Sequence, residues 1–148
     1  MESLNLPKYK FAILKKDKKI QIFDPIRKKY VVLTPEEWVR QHFLNYLTEH
    51  LHFPRSLIRV EGGFHYNRML KRSDIVVHGR KGEPLMLVEC KAPGVSIDEK
   101  TMEQAAAYNR ILSARFLVLT NGLVHVCCDL KAGSGGFLEK IPDWLEIS

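Results

Sequence analysis

The sequence predicts an α/β fold in which helices flank a central sheet of mixed strand direction. Residues 72–91 contain two runs rich in Val, Leu and Ile around the polar segment 79–84, which is the pattern of a β-hairpin with a polar turn. A helical pattern at 98–113 then leads to the apolar run 115–119. Because a strand reached through a helical crossover normally lies parallel to the strand before it, the sheet should contain both strand directions.

The chain of 148 residues is expected to form one domain with a sizeable core. We predict a basic N-terminal hairpin at 1–33, a core at 34–128, and a loop with a docked tail at 129–148. No run approaches the ~20 apolar residues that a membrane helix needs, and the N-terminus lacks the apolar segment of a signal peptide. The sequence therefore predicts a cytoplasmic protein with no membrane partner.

Charge and cysteine content restrict the function only loosely. Lys and Arg number 23 against 17 Asp and Glu, a formal net charge of +6 with a pI near 9.3, which permits a phosphate-rich partner without requiring one. Cys90, Cys127 and Cys128 cannot all pair, and none has the spacing of a metal ligand. We expect them to be buried thiols.

The N-terminal third should contain a hairpin followed by a helix. The runs 20–23 and 30–33 are strand-like and surround the turn signal Asp24-Pro25. The lysines beside them either discourage pairing at a sheet edge or contact phosphate, and the sequence does not separate these roles. Thr34 and Glu37 predict a capping box with Pro35 in the first helical turn, and the apolar stripe extends this helix to about Leu51.

The remaining elements follow in order. Residues 57–66 are strand-like, with a bulge signal at Gly62-Gly63. After the 72–91 hairpin, the spacing of Ser96 and Glu99 predicts a capping box for the helix at 98–113. Strands are expected at 115–119 and 123–127, joined by a tight turn, and 137–148 should form the docked tail.

The 72–91 hairpin also carries the candidate chemistry. Folding it between Lys81 and Gly82 places Asp74 opposite Glu89, and Lys91 shares a face with Glu89. Two carboxylates on buried strands need a cation or a proton, and Mg²⁺ prefers such oxygen ligands. This indicates a metal-dependent phosphodiesterase site. A simpler interpretation is that Asp74 caps a strand while Glu89 and Lys91 form a surface ion pair on an edge strand, but charges are rare in so apolar a context.

The order of motifs resembles the PD-(D/E)xK nuclease superfamily, and most closely the N-terminal nuclease domain of the R subunits of type I restriction enzymes. The resemblance runs from about Thr34 to Gly122 and rests on Asp74, on Glu89-Cys90-Lys91, on the helix with Gln104 and Tyr108, and on the Leu-Thr-Asn-Gly segment at 119–122. It implies a restriction-endonuclease-like αβββαβ core with an extra N-terminal hairpin and a C-terminal extension.

The resemblance implies a role for each candidate residue. Asp74, Glu89 and Lys91 would be catalytic, and Mg²⁺ or Mn²⁺ would be held by the two carboxylates and the backbone carbonyl of Cys90. An acidic residue on the first helix often faces the metal in this superfamily, and Glu37 is the match here, although capping explains it equally well. Gln104, Tyr108 and Lys100 would contact nucleic acid, together with the basic connector residues Arg68, Lys71 and Arg72.

We therefore predict a Mg²⁺-dependent nuclease that hydrolyses DNA, most simply an endonuclease of restriction or repair type. R subunits continue into helicase domains after this region, and the 148 residues here do not, which motivates an alternative: a non-catalytic nucleic-acid-binding or assembly module. A metal-dependent hydrolase of a non-nucleic substrate is a third option, disfavoured by the basic charge. Partners expected from the resemblance are DNA and either a second copy of the chain or restriction-complex subunits.

Overall fold

The computed structural model describes residues 1–60, 75–131 and 136–148, and the backbone of 64–66 and 69–71. Asp74, Arg68 and Arg72 lie outside the described residues. Among the helices that the structure describes, none has the length and apolar character needed to cross a bilayer.

The N-terminal region forms a three-stranded antiparallel sheet, called here the N-terminal sheet. Its strands are β1 (Ile13–Lys16), β2 (Lys19–Asp24) and β3 (Lys29–Val32), with β2 in the centre. The predicted hairpin is confirmed as β2–β3, and β1 is an addition to it. Asp17 and Lys18 connect β1 to β2 with φ of 53° and 65°. A two-residue turn with positive φ at both positions matches the twist of a hairpin, so this short basic run can reverse direction.

Helix α1 (Pro35–Asn45) begins where the sequence predicts, and a π-helical turn (Tyr46–His50) extends it. Thr34 Oγ1 accepts a hydrogen bond from the Glu37 backbone N–H at 3.0 Å, which satisfies one free amide of the first turn. Only this half of the predicted capping box is seen among the described contacts, because the Glu37 carboxylate binds arginine side chains instead.

The central sheet has six strands, of which β8 (Pro84–Cys90) and β9 (Phe116–Thr120) form its only parallel pair among the described residues. Between them runs the predicted crossover helix, α2 (Glu99–Leu112). A short helix, α3 (Trp144–Ile147), ends the chain. The strands are β4 (Ile58–Arg59), β7 (Ile75–His78), β8 (Pro84–Cys90), β9 (Phe116–Thr120), β10 (His125–Asp129) and β11 (Phe137–Leu138), in the order β11-β10-β9-β8-β7-β4, with β5 (Phe64–Tyr66) and β6 (Met69–Lys71) forming a separate antiparallel pair.

The two faces of the central sheet are covered by different helices. One face packs against α1 and the other against α2, so the strand residues alternate between two cores. The predicted mixed sheet with a buried central hairpin is confirmed. The α1 face includes Ile75, Val77, Met86, Val88 and Cys90 with Val39, Phe43 and Leu47; the α2 face includes Val76, Leu87, Leu117 and Leu119 with Ala105 and Tyr108.

Helix α2 is capped by a different pair from the one the sequence predicts. Asp98 Oδ1 accepts from the Thr101 backbone N–H at 2.9 Å, and Thr101 Oγ1 accepts from the Asp98 N–H at 2.9 Å. The predicted Ser96–Glu99 box is therefore wrong, although the bounds of the helix are nearly right. The spacing is the same in both pairs, and a threonine at the third position completes the reciprocal box as glutamate would.

Strand β10 starts two residues later than predicted. Asn121 Oδ1 accepts hydrogen bonds from the backbone N–H groups of Leu123 (2.9 Å) and Val124 (2.8 Å). These amides are consequently engaged in the turn, and pairing with β9 begins at His125.

The cysteines follow the prediction, and α3 contacts the core. All three cysteines are free and buried, and burial raises the pKa of Cys127 to about 12. The tail docks through Trp144, whose backbone N–H donates to the Leu51 carbonyl at 2.9 Å and whose ring lies 5.8 Å from that of Phe53.

Candidate active site

The hairpin that carries the predicted site has the predicted register. Ile75 pairs with Val88, Val76 with Leu87 and Val77 with Met86, and the ladder slips only at His78, next to the turn. The fold point between residues 81 and 82 is thus confirmed for this part of the hairpin. The position of Asp74 opposite Glu89 falls outside the described residues and stays a prediction.

Glu89 is a buried carboxylate near the end of a central strand. Its residue is 6 % exposed, and β8 lies between β7 and β9, so the alternative of a surface ion pair on an edge strand is wrong. By the alternation of β8, Glu89 shares the α2 face with Leu87, and its partner on β9 is Leu119. A charged group placed among such neighbours requires compensating partners, which is the property expected of a ligand or an acid–base group.

Lys91 is the residue directly after β8 and is half-buried. Its backbone N–H donates to the Thr120 carbonyl at 2.8 Å, which holds the end of β8 against β9. Lys91 is two residues after Glu89 in the sequence, so both side chains leave the strand on one face.

The Thr120-Asn121-Gly122 turn lies beside this end of β8 and is held by hydrogen bonds. Thr120 Oγ1 accepts from the Gly122 N–H at 2.9 Å and lies 2.7 Å from His125 Nδ1 in a second hydrogen bond. The Asn121 side-chain amide donates to the Val95 carbonyl at 2.9 Å, which fixes the loop that follows Lys91. The described contacts therefore give this turn a positioning function beside the candidate site.

Glu37 is held by cations and an amide. Its Oε1 accepts from Arg27 Nη2 at 2.9 Å and Arg40 Nη1 at 2.8 Å, and its Oε2 accepts from Gln41 Nε2 at 3.0 Å. These contacts satisfy both carboxylate oxygens without a metal. The metal-ligand role of Glu37 stays a prediction, and its observed role is to organise an ion network.

Sequence reasoning missed this network, which includes Asp24. Asp24 is fully buried; its Oδ2 accepts from Arg27 Nε at 2.6 Å and Gln41 Nε2 at 3.0 Å, while its Oδ1 caps the backbone N–H groups of Ile26 and Arg27 at 2.8 Å. The signal available was the spacing of Glu37, Arg40 and Gln41, which places them on one side of α1. Nothing in the sequence indicated that Arg27 would join them.

A cleft of about 420 Å³ lies beside this network. It is bordered by β3, by the first turns of α1 and by Ala92. Because Ala92 directly follows Lys91, the cleft opens at the same end of β8 as the candidate residues, but on the α1 side, whereas the Glu89 side chain lies on the α2 face. The lining residues are Val31, Val32, Thr34, Pro35, Glu36, Glu37, Arg40 and Ala92.

A larger cavity of about 820 Å³ lies elsewhere and is not part of this site. It borders the hairpin turn near Arg80 and Leu85 and the tail at Trp144, with the Arg80 guanidinium 5.3 Å from the centre of the Trp144 ring. Leu85 and Glu89 are four residues apart on an extended strand, a separation of roughly 13 Å.

The predicted nucleic-acid contacts fall in different environments. Gln104 and Lys100 are exposed on α2, whereas Tyr108 is 2 % exposed and packs with Val76 and Leu87. Lys71 is described only as part of the backbone of β6. Gln104 and Lys100 are therefore accessible to a ligand, and Tyr108 contributes to the core.

The part of the chain that the structure describes contains no group of three or more His, Cys, Asp or Glu side chains arranged for a metal. Asp74, the predicted second carboxylate, is not within that part. The oxygen of a buried carboxylate such as Glu89 is nevertheless the ligand type that Mg²⁺ selects.

A model of the family described as "Type I restriction enzyme R protein N terminus" matches residues 35–142. The chain belongs to this family. Over 81 residues it is 37 % identical to the type I restriction enzyme EcoAI endonuclease subunit of Escherichia coli, a match that covers 55 % of this chain and 10 % of that protein.

A solved structure shares the fold of this R-protein N-terminal region. It is a fragment assigned to an HsdR subunit of a type I restriction enzyme from Vibrio vulnificus YJ016, matched with a TM-score of 0.58 and 23 % identity over 78 % of this chain and 24 % of that one. The chain thus spans about a tenth of the curated relative and a quarter of the solved one.

Proposed function

We propose that this R-protein N-terminal domain is a metal-dependent nuclease that hydrolyses phosphodiester bonds in DNA. The observation that carries the proposal is Glu89, a buried carboxylate on a central strand, two residues before Lys91. Family membership supports it, because a related protein is named an endonuclease subunit. The predicted register around Ile75–Val77 supports the expectation that Asp74 joins Glu89.

Asp74, Glu89 and the backbone carbonyl of Cys90 would hold Mg²⁺ or Mn²⁺, with Glu37 a more remote candidate through water. All are hard oxygen donors, which fits these ions. When bound, such a metal supplies Lewis-acid polarisation of a phosphoryl oxygen and lowers the pKa of a coordinated water.

The protein side chains would perform the remaining steps. In this proposal Lys91 orients the attacking water, and its positive charge offsets the negative charge that develops at phosphorus. Gln104 and Lys100, exposed on α2, would hold the DNA backbone together with the connector residues Arg68, Lys71 and Arg72; Tyr108 would support them from the core.

The partners proposed are DNA and the other parts of a restriction complex, because the relatives are much longer than this chain. Homodimerisation remains part of the proposal as one way to cut both strands. A DNA substrate also fits the cytoplasmic location that the sequence predicts.

The test combines metal binding and cleavage. Mg²⁺ and Mn²⁺ are titrated by calorimetry into the wild type, Glu89→Gln and Glu103→Gln, with and without a non-cleavable oligonucleotide, and plasmid cleavage is followed in parallel. Glu103 is exposed on α2, so its variant controls for the loss of one carboxylate. We expect Glu89→Gln to lose metal binding and cleavage while Glu103→Gln retains both.

Cleavage that persists in highly purified Glu89→Gln would overturn the assignment of Glu89. Salt-dependent DNA binding by the wild type with no cleavage under either metal would instead favour the non-catalytic binding or assembly module.

A further inference from the structure

We propose that the N-terminal sheet is a sequence-independent binding surface for the phosphate backbone of nucleic acid. This inference rests on the proposed function in one respect, since it names the surface that would present the same substrate to the candidate site. It concerns β1–β3, which precede residues 35–142, the part that matches the family.

The first observation is how the charge is distributed. Residues 1–33 contain nine Lys and Arg against three Asp and Glu, and residues 34–148 contain fourteen of each. The whole formal charge of +6 therefore belongs to the N-terminal region, and the remainder of the chain is formally neutral. Such a concentration of one sign attracts polyanions and raises their rate of encounter.

The second observation is that this charge is available. All eight lysines of the region are exposed, whereas Asp24, one of its three acids, is buried and bound by Arg27. The positive groups thus face solvent while a compensating negative group is turned inward. The exposed lysines are Lys8, Lys10, Lys15, Lys16, Lys18, Lys19, Lys28 and Lys29.

The lysines lie at both ends of the sheet. Lys15, Lys16, Lys18 and Lys19 lie in and beside the β1–β2 turn, and Lys28 and Lys29 lie at the end of the β2–β3 turn and the start of β3, at the other end of β2. An extended strand as long as β2 spans about 20 Å, which corresponds to about six phosphates along one DNA strand. One backbone segment can therefore contact both lysine groups.

Apolar and aromatic groups lie between these ends. The Phe23 and Tyr30 rings pair across β2 and β3 with centroids 5.2 Å apart; Tyr30 is 40 % exposed, and Val32, two residues along β3 on the same face, is exposed as well. Aromatic rings flanked by cations are typical of surfaces that bind nucleic-acid strands by stacking and charge. Lysines that served only to protect a sheet edge would not require an exposed ring beside them.

The sheet is fixed next to the candidate site. Arg27 and Asp24 bind Glu37 and Gln41 of α1, and the cleft beside Ala92 is lined on one side by Val31 and Val32 of β3. A backbone held on the sheet would thus border the end of β8 from the α1 side, while the Glu89 and Lys91 side chains leave the strand on the α2 face.

The test is the salt dependence of binding in EDTA, so that it does not depend on a metal or on cleavage. A sheet variant carries Lys15→Gln, Lys16→Gln, Lys18→Gln and Lys19→Gln. A control variant with the same charge change carries four substitutions at exposed positions outside the N-terminal region: Lys81→Gln, Arg110→Gln, Lys131→Gln and Lys140→Gln. Kd for a fluorescent oligonucleotide is measured between 50 and 200 mM NaCl, alongside circular dichroism spectra.

We expect the slope of log K against log salt to become shallower by about 3–4 in the sheet variant and by less than about 1 in the control, at roughly 0.9 per lost phosphate contact. Equal slopes in the two variants would overturn the proposal. Self-association of the sheet variant with unchanged DNA affinity would also overturn it, in favour of edge protection. If the sheet variant lost binding to phosphatidylserine vesicles but kept its DNA affinity and salt slope, the proposal would also be overturned, in favour of a membrane surface.

Lysine footprinting of the wild type keeps the proposal falsifiable if the sheet variant does not fold. Bound oligonucleotide should protect Lys15, Lys16, Lys18 and Lys19 from acetylation, with Lys140 as the unprotected reference. Equal labelling at all of these lysines would overturn the proposal. Because both readouts are binding, an inactive but DNA-binding protein would reject the nuclease function and leave this inference standing.

Discussion

Arg27→Met tests whether the buried ion network attaches the N-terminal sheet to α1. Arg27 donates to Asp24 at 2.6 Å and to Glu37 at 2.9 Å, two carboxylates from different elements. Methionine retains an apolar stem of similar length but removes both charge-assisted hydrogen bonds. The substitution therefore leaves two buried carboxylates with fewer donors.

The magnitude follows from the burial of each group. Removing one partner of a buried ion pair costs about 3–5 kcal/mol of unfolding free energy. The Arg27 side chain is 21 % exposed, and Asp24 and Glu37 both keep a hydrogen bond from Gln41. We therefore expect a smaller loss, about 2–3 kcal/mol, and a fall in Tm of about 4–12 °C for a chain of this length.

Urea unfolding followed by circular dichroism measures this loss. The matched control is Arg55→Met, because Arg55 pairs with Glu49 at 3.4 Å with the two side chains 57 % and 53 % exposed. An exposed pair of this kind contributes at most about 1 kcal/mol, and often nothing measurable. If both variants lost the same free energy, to within 0.5 kcal/mol as an approximate margin, the reasoning on burial would be refuted.

Two further predictions concern other parts of the fold. Gly122→Ala should destabilise the protein by about 2–3 kcal/mol and Gly82→Ala by about 1 kcal/mol. Both glycines have positive φ (87° and 83°), but only a Cβ at 122 would lie 2.8 Å from Leu4. Equal losses of unfolding free energy in urea titrations would contradict this prediction. Burial lowers the pKa of His42 from its ordinary value of 6.5. As the pH drops through 6.5, the unfolded chain therefore gains a proton that the folded chain does not, and the free energy of unfolding should fall. A His42→Asn variant whose unfolding free energy had the same pH slope between 7 and 5 would contradict this prediction.

The elements of the fold could be predicted from the sequence because their signals are local. The 72–91 hairpin keeps its predicted register at Ile75–Val77, since alternating apolar residues fix which side chains face each core. The crossover from β8 through α2 to β9 gives the predicted parallel pair, because handedness and twist leave little choice. The candidate residues Glu89 and Lys91 were identified for the same reason, since their strand is defined by its own apolar pattern.

Helix periodicity did not decide which face of α2 would be buried. Gln104 and Tyr108 are one turn apart and the resemblance implies a nucleic-acid contact for both, yet Gln104 is exposed and Tyr108 is in the core. Neighbouring positions on a helix can lie on either side of the boundary of the packed face, and only the docking of α2 on the sheet sets that boundary.

The sequence by itself determined the order of helices and strands, the hairpin register and the strand that carries Glu89, because these depend on side-chain period and turn chemistry over a few residues. Only the tertiary structure decided the partners of Glu37, which the sequence suggested as a cap or a metal ligand and which binds Arg27 and Arg40. It also decided that Lys91 is held by Thr120. The contacts of Glu37 with Arg27 and of Lys91 with Thr120 join different elements, and their free energy depends on how those elements pack rather than on any local pattern.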